Sequence, residues 1–399
     1  MKPLEGITVV DLTTFVAAPV CARLLGELGA RVIKIEAPKG DGWRGSSISF
    51  VPSRFSQEEN PGFDIYNSGK DMICLNLKSE AGMDIMHQLL AKADVFITNN
   101  RPAALERLGL HYEQLKEKYP RLIYGIVLGY GEKGPDADKP AFDTTAFWSR
   151  SGFLRDTAVK TEEYYPVQAP SGVGDSYTGT NLAMQVLAAI LQRQHTGRGQ
   201  YVKAALFHVG AFAMASMLTR FQRPYGAQLP MTRWDANPTA TAFCCAAGEW
   251  IFLSGVSYET LFKIAGKEEL LDDPIWKPEN AATTKKERYD VIKALMLTKT
   301  REEWMAIIDP LGTPTVRLAH FADLCEDEQA WVNGYVERVE YPTGNADIVP
   351  SIPLDMECLE RGKTQKTRRL GQDTVKVLSE LGYTQEQIQQ LAADGAIIS

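Results

Sequence analysis

No run of apolar residues in this 399-residue sequence is long enough to span a bilayer. The opening Met1-Lys2-Pro3-Leu4-Glu5-Gly6 leads straight toward a β-rich stretch, without the apolar core of a secretory signal. Positive charge is in deficit, 43 Lys and Arg against 50 Asp and Glu, for a net charge of −7 and a pI near 5.5. That balance argues against generic binding to nucleic acid or an anionic membrane, both of which need a basic surface to exchange for counterions. The six cysteines form no C-x-x-C pair and lie among hydrophobic residues, so they read as buried free thiols of a reducing compartment. The expected location is the cytoplasm. The five histidines are isolated from one another, with no H-E-x-x-H spacing, and no metal site is expected. Missing too are the G-x-G-x-x-G that follows a first strand in dinucleotide sites and the G-x-x-x-x-G-K-[ST] phosphate loop. No internal repeat or low-complexity segment occurs.

What is present is the composition of a globular protein, 44% hydrophobic and 23% charged, with enough length for two or more domains. The chain is organised around Ser171-Gly172-Val173-Gly174-Asp175-Ser176-Tyr177-Thr178-Gly179. A carboxylate stands between glycines at the mouth of a nearly all-apolar helix expected over 180–194. Asp is a good acceptor for the free N–H groups of a helix's first turn, which is a purely structural role. The positive helix end also favours an ionised carboxylate, and flanking glycines let a ligand approach the backbone, which suits a nucleophile. Nothing local decides between the two.

The first half alternates strands and helices. Strands are expected over Ile7–Leu12, Arg31–Glu36, Met72–Leu77, Asp94–Thr98 and Leu122–Leu128, with helices over Ala17–Gly29, Ser79–Lys92 and Tyr112–Lys118. This α/β pattern implies a parallel sheet covered by helices on both faces, with ligands at the carboxyl ends of the strands. The loops Thr13–Pro19, Ala37–Arg44 and Thr98–Leu105 fall there. Gln200–Arg220 reads as a strand and a long apolar helix, and residues 221–230 as a linker. A hairpin is expected over Thr241–Gly255, and Thr284-x-x-Glu287 and Thr300-x-x-Glu303 are capping-box signatures that open helices. The basic cluster Arg361, Lys363, Lys366, Arg368 and Arg369 reads as a solvated loop before two closing helices.

Taken together, many spaced motifs resemble the class III CoA-transferases, a family that includes the α-methylacyl-CoA racemases. They are Leu4-Glu5-Gly6-Ile7-x-Val9-Val10-Asp11-Leu12, Ala18-Pro19, Leu25-x-x-Leu28-Gly29-Ala30-x-Val32-Ile33-Lys34-Ile35-Glu36 and Gly40-Asp41 near the start. Further on come Asn76-Leu77-Lys78, Asn99-x-Arg101-Pro102, Leu108-Gly109-Leu110, Pro120-x-Leu122-Ile123-Tyr124, Gly129-x-Gly131-x-x-Gly134-Pro135, Gly174-Asp175 and Thr196-Gly197-x-Gly199-Gln200. The segments Gly129–Asp136, Asp327–Trp331 and Tyr341–Asn345 are most similar to the phenyllactate and 2-hydroxyisocaproate members.

The resemblance implies a large Rossmann-like domain built from both chain ends (1–220 and 335–399), a smaller inserted α/β domain (231–318), linkers at 221–230 and 319–334, and an interlocked homodimer. It makes Asp175 the nucleophile, carrying CoA as an aspartyl thioester, with Asp143 a nearby acid that orients or tunes it. Coenzyme A enters as a thioester substrate, with no tightly bound cofactor, and a free carboxylic acid is the other partner. Asn99, Ala104 and Arg107 fall on CoA-contacting positions. Where several relatives carry an Arg this chain has Ala37, and Lys39 or Arg44 is expected to take that work. A Gln that touches a small polar acyl group in formyl-CoA transferases is replaced by Val16, flanked by Phe15 and Ala17, which suits a bulkier apolar acyl group. Trp234-Asp235-Ala236-Asn237-Pro238 stands where those enzymes have a glycine-rich loop. The implied reaction moves CoA from an acyl- or enoyl-CoA to an (R)-2-hydroxy acid with an aryl or branched side chain. Alternatives are another short-chain or aromatic carboxylate, a 2-methylacyl-CoA racemase, or a non-enzymatic CoA-binding protein. Racemases place a His where Phe142 stands, and Phe142 cannot transfer a proton.

Overall fold

A computed structural model describes residues 1–45, 59–160, 167–222, 229, 231–360 and 362–399. Of the expected 221–230 linker, residues 223–228 and 230 lie outside the described residues, as does Arg361. The chain divides into two compact units. One comprises Met1–Phe153, Ala169–Thr219 and Asp327–Ser399, and the other Leu154–Gln168 and Arg220–Glu326. Residues 154–168 thus group with the segment expected to form the smaller domain, and the stretch expected as a linker at 319–334 is divided between the units.

The first unit is built on a seven-stranded sheet. Its strands are β1 (Thr8–Leu12), β2 (Arg31–Glu36), β3 (Asp71–Leu75), β4 (Val95–Thr98), β5 (Ile123–Leu128) and β6 (Tyr201–Ala205), closed by Ile397–Ile398. The order across the sheet is Ile397–Ile398, β3, β2, β1, β4, β5, β6; all neighbours run parallel except the terminal strand, which pairs antiparallel with β3. Expected strand positions agree with these to within two residues.

Strands buried on both faces read as continuous apolar runs, and their alternate residues serve two cores. Val9, Val32, Val95, Ile97 and Ile123 pack with the helix Ala17–Glu27 and the long helix Val173–Thr196. Val10, Ile33, Ile35, Phe96, Tyr124 and Ile126 face the other way, onto the helix Glu80–Lys92 and the C-terminal helices. Ser79 caps Glu80–Lys92 by accepting the Gly82 N–H at 3.1 Å, which places the helix start one residue after the expected one.

Two departures matter near the strand ends. The long helix starts at Val173, not at 180, so Asp175 lies inside its first turn and Gly172, in the left-handed conformation, occupies the cap position. The apolar stretch after β6 is broken at Met214 into Leu206–Ala213 and Ala215–Phe221. The tail is not a free solvated loop: Thr367 N–H donates to Asp64 at 2.8 Å, Gln365 N–H to Ser68 at 2.9 Å, and Arg368 to the Lys70 carbonyl at 3.0 Å.

The second unit carries a three-stranded antiparallel sheet of β7 (Ala242–Cys244), β8 (Trp250–Phe252) and β9 (Val316–Arg317), packed with helices around Phe243, Ile251, Phe262, Ile292 and Trp304. The β7–β8 pair is the expected hairpin. At Thr300 the capping box forms, with the Thr300 N–H donating to Glu303 at 2.8 Å and the Glu303 N–H to the Thr300 hydroxyl at 3.2 Å. At Thr284 it does not, because that hydroxyl donates to the Asn280 carbonyl at 2.8 Å instead. Of the cysteines, Cys21, Cys74 and Cys245 are buried, whereas Cys325 and Cys358 are exposed, contrary to the expectation for all six.

The long helix comes close to the backbone of the first helix at Gly179. A β-carbon there would sit 2.2 Å from the Ala17 carbonyl oxygen and 2.7 Å from Val20 Cβ. Gly179→Ala should therefore destabilise the unit by about 2 kcal/mol or more, because the obstacle is helix backbone that cannot swing aside; a denaturation midpoint equal to wild type would contradict this packing.

Candidate active site

The buried face of the long helix begins with Gly174, Thr178, Gly179 and Leu182, and Asp175 points into the same sector by the helical period. Gly179 rests on Ala17, so Asp175, one turn earlier, reaches the corner where the loop after β1 enters the first helix. The opposite face of this turn borders an open groove of about 660 Å³, lined by Tyr66, Phe147, Gly172, Ser176 and Tyr177 among others; Asp175 is not among its walls.

Asp143 opens a seven-residue π-type turn, Asp143–Ser149. Such turns are rare and concentrate at functional sites. Its buried carboxylate accepts the Gly172 N–H at 2.8 Å. It thereby supplies from another element the cap that the helix lacks from its own Gly172. The helix can come this close only because residue 174 is glycine: a β-carbon would lie 2.2 Å from Asp143 Oδ1 and 2.3 Å from Phe147.

Two carboxylates at one partly desolvated helix mouth cannot both ionise freely. Burial first, and the Asp143 charge second, push the Asp175 carboxyl up to about 7. Asp143 is also raised by burial, opposed by the backbone N–H groups that face it. The Tyr66 phenol is raised by burial and by the charges of Asp175 and Asp143, against a hydrogen bond with Ser176. Neither Tyr66 nor Ser176 was among the residues singled out from the sequence. Ser176 follows Asp175 directly, but Tyr66, on the helix Pro61–Asn67, carries no local signal.

The other residues selected from the sequence occupy five places. Asn99, at the end of β4, joins the loop after β1: its Oδ1 accepts the Thr14 N–H at 3.0 Å and its Nδ2 donates to the Thr14 carbonyl at 2.8 Å. This is where the strand order reverses between β1 and β4, the crevice in which such sheets bind ligands. Ala104 and Arg107 lie on the helix Pro102–Leu108 that follows, Arg107 exposed. Lys39 is exposed on the loop after β2. Arg44 is committed elsewhere: it pairs with Glu36 at 2.6 Å, donates to the Arg368 carbonyl at 3.0 Å and lies over the Phe63 ring. Val16 and Ala17 are buried in the core, so the side chain this loop presents is Phe15, 39% exposed. No cluster of His, Cys, Asp and Glu suited to a metal ion occurs among the described residues.

A family model, CoA-transferase family III, matches residues 4–374. The chain belongs to that family. It is 38% identical over 393 residues to the (R)-2-hydroxy-4-methylpentanoate CoA-transferase of Clostridioides difficile, covering 96% of this chain and 97% of that one. It is 37% identical over 402 residues to the cinnamoyl-CoA:phenyllactate CoA-transferase of Clostridium sporogenes, covering 99% and 97%. A CAIB/BAIF family protein from Brucella suis superposes with a TM-score of 0.80 at 25% identity, over 95% of this chain and 99% of that one. Like that structural neighbour, this family III CoA-transferase has the mixed α/β architecture with a large, mainly parallel sheet. No helix among the described residues is long and apolar enough to cross a membrane.

The raised Asp175 carboxyl has a stability consequence. A carboxyl that holds its proton more tightly folded than unfolded costs the folded state nothing below the unfolded value of 3.8, and its full penalty is present above about 7. Asp175→Asn, which cannot ionise, should accordingly melt higher than wild type near pH 9, with the gain vanishing toward about pH 4. Asp143→Asn removes the neighbouring negative charge, so the rising limb of the transfer rate against pH should move below about 7. An unmoved limb would remove Asp143 from the account of the Asp175 titration.

Proposed function

We propose that this transferase moves CoA from an acyl- or enoyl-CoA to a free (R)-2-hydroxy acid with an aryl or branched alkyl side chain, through an aspartyl-CoA thioester on Asp175. The observation that carries the choice of acid is the identity, over nearly the whole chain, to two proteins named for acids of that class. The position of Asp175 supports the chemistry. In its ionised form the carboxylate attacks the donor's thioester carbonyl; the C–S bond breaks, CoA leaves as the thiolate, and an acyl-aspartyl anhydride forms. The thiolate then attacks the aspartyl carbonyl, releasing the donor acid as its carboxylate and leaving CoA on Asp175. The acceptor acid runs both steps in reverse, and the thioester is conserved without ATP.

Coenzyme A is read as a substrate that comes and goes. Its nucleotide is assigned to the crevice between β1 and β4, with Arg107 and Lys39 as exposed cations for phosphate, Ala104 as a close backbone approach, and Asn99 shaping the loop. Arg44, engaged with Glu36, is assigned to holding its own loop. Asp143 tunes and orients Asp175. Phe142, with no transferable proton, argues against racemisation.

The long helix exposes Val173, Tyr177, Met184 and Leu191 along one stripe, and Phe212 on the next helix is 67% exposed. We assign this surface to a homodimer, since exposed apolar stripes of this extent mark contact faces. Sedimentation as a stable, active monomer at micromolar concentration would exclude it.

The chemistry is tested by incubating the enzyme with a donor acyl-CoA and then with hydroxylamine or borohydride. Modification should fall on Asp175 alone, and Asp175→Ala should lose transfer by at least about a thousandfold. The acid is tested with a panel of free carboxylates against one donor, ranked by kcat/KM. Apolar (R)-2-hydroxy acids should lead, and preference for formate or oxalate would overturn the substrate while leaving the transferase standing.

A further inference from the structure

Phe15 has φ +62°, and Ala247 is the other non-glycine residue with positive φ among those described. A bulky side chain in the left-handed region is unusual and persists only where surrounding contacts over-determine it. Here they do. Thr13 is held at its carbonyl by Lys34 Nζ at 2.8 Å and at its hydroxyl by Asp11. Both backbone polar groups of Thr14 are bound by Asn99. The Phe15 N–H donates to Asp41 Oδ1 at 3.1 Å, and the same oxygen accepts the Trp43 N–H at 3.0 Å. Asp41 is itself fixed from behind: its other oxygen lies 3.1 Å from Lys34 Nζ, both side chains being wholly buried, and its own N–H donates to Glu36 at 2.8 Å.

The result is a ring held where an unstrained backbone would not put it. Phe15 meets Trp43 edge to face at 6.2 Å between centroids and Phe142 at 6.0 Å. Its tip fills the space over Gly42, where a β-carbon would lie 3.1 Å from Phe15 Cζ. Phe142 directly precedes Asp143, the residue that caps the Asp175 helix. Phe15 and Phe142 are both open to solvent at this corner, 39% and 60% exposed. Aromatic edges and faces exposed where the chain leads into Asp143 form a wall suited to an apolar side chain.

We propose that Asp41 is a positioning residue for acceptor selectivity: by binding the backbone of both Phe15 and Trp43 it holds the Phe15 ring against Phe142, and this aromatic wall recognises the side chain of the acceptor acid. The proposal rests on the hydroxy-acid transferase reading above. Asp41 never touches the acid, so its effect passes through Phe15.

The test is the ratio of kcat/KM for (R)-2-hydroxy-4-methylpentanoate to that for glycolate, a 2-hydroxy acid with no side chain, measured with one donor acyl-CoA. Both rates come from the same preparation, so a loss of folded enzyme cancels. Phe15→Gly removes the ring and relieves the backbone, and should lower the ratio by roughly ten- to a hundredfold, mainly through KM for the branched acid. Asp41→Asn should lower it in the wild-type background and leave it within about twofold in the Phe15→Gly background, as expected for residues acting through one another. Should Asp41→Asn fail to fold because Lys34 loses its partner, Gly42→Ala displaces the ring tip without touching the ion pair and should show the same dependence on Phe15. A ratio unmoved by Asp41→Asn or Gly42→Ala, or lowered equally with Phe15 already gone, overturns the proposal. Wild-type transfer to glycolate with the ratio near one overturns it while leaving the transferase standing, and no transfer to any free acid brings down both readings.

Discussion

The backbone of the long helix touches the Ala17 carbonyl at Gly179, and the position of Asp175 follows from that contact. Helices normally meet through side chains at about 8–10 Å between axes. Where one partner has no β-carbon they come closer, and the first turn of the long helix is thereby fixed against the entry of the first helix. Gly174 repeats the device against Asp143 and Phe147. Between these two glycines, at the same helix mouth, stands Asp175. Its reluctance to ionise is therefore a product of packing: the surroundings that place it also strip it of water.

A second layer of order lies beneath the loop after β1. Lys34 and Lys70 are almost fully buried, Lys70 pairing with Asp11 at 2.8 Å and Lys34 with Asp41 at 3.1 Å. Burying ions is expensive, and breaking such a pair by removing one member leaves the other uncompensated. What these groups provide is orientation. Each takes hold of a backbone atom or another charge near the carboxyl ends of β1 and β2, so the loops there hang from a rigid electrostatic frame. The Lys70 ammonium, held down to about 8 chiefly by burial, marks how far this frame is removed from solvent.

Much of this was legible in the sequence, for definable reasons. Parallel strands buried on both faces announce themselves as apolar runs, and Arg31–Glu36 was located to the residue. Asp175 stood out through its glycines, although helix propensity hid the true start of its helix: Gly174 and Gly179 disfavour helix intrinsically, and tertiary packing overrides them. The burial of the Val16 and Ala17 side chains was not legible, because an apolar loop and an apolar core look alike until the backbone direction is known; the left-handed turn at Phe15 sends one side chain out and the next two in. Tyr66 was out of reach, since its relation to Asp175 spans more than a hundred residues. The pairing of Arg44 with Glu36 was likewise hidden, since nothing in the sequence shows which carboxylate a guanidinium meets.

One edge of the large sheet belongs to residues some 300 positions later in the chain than the strand they cover. β3 is flanked by β2 on one side and by Ile397–Ile398 on the other, and Met72 N–H and Cys74 N–H donate to Asp373 and Thr374, some 301 and 300 positions later in the chain. During translation β3 therefore waits with part of its hydrogen-bonding capacity and one apolar side open. An unpaired strand edge is a template for association with other chains. On the ribosome this protein carries that hazard until about 300 further residues have emerged, so a nascent chain arrested before position 373 presents β3 to chaperones or to its own neighbours.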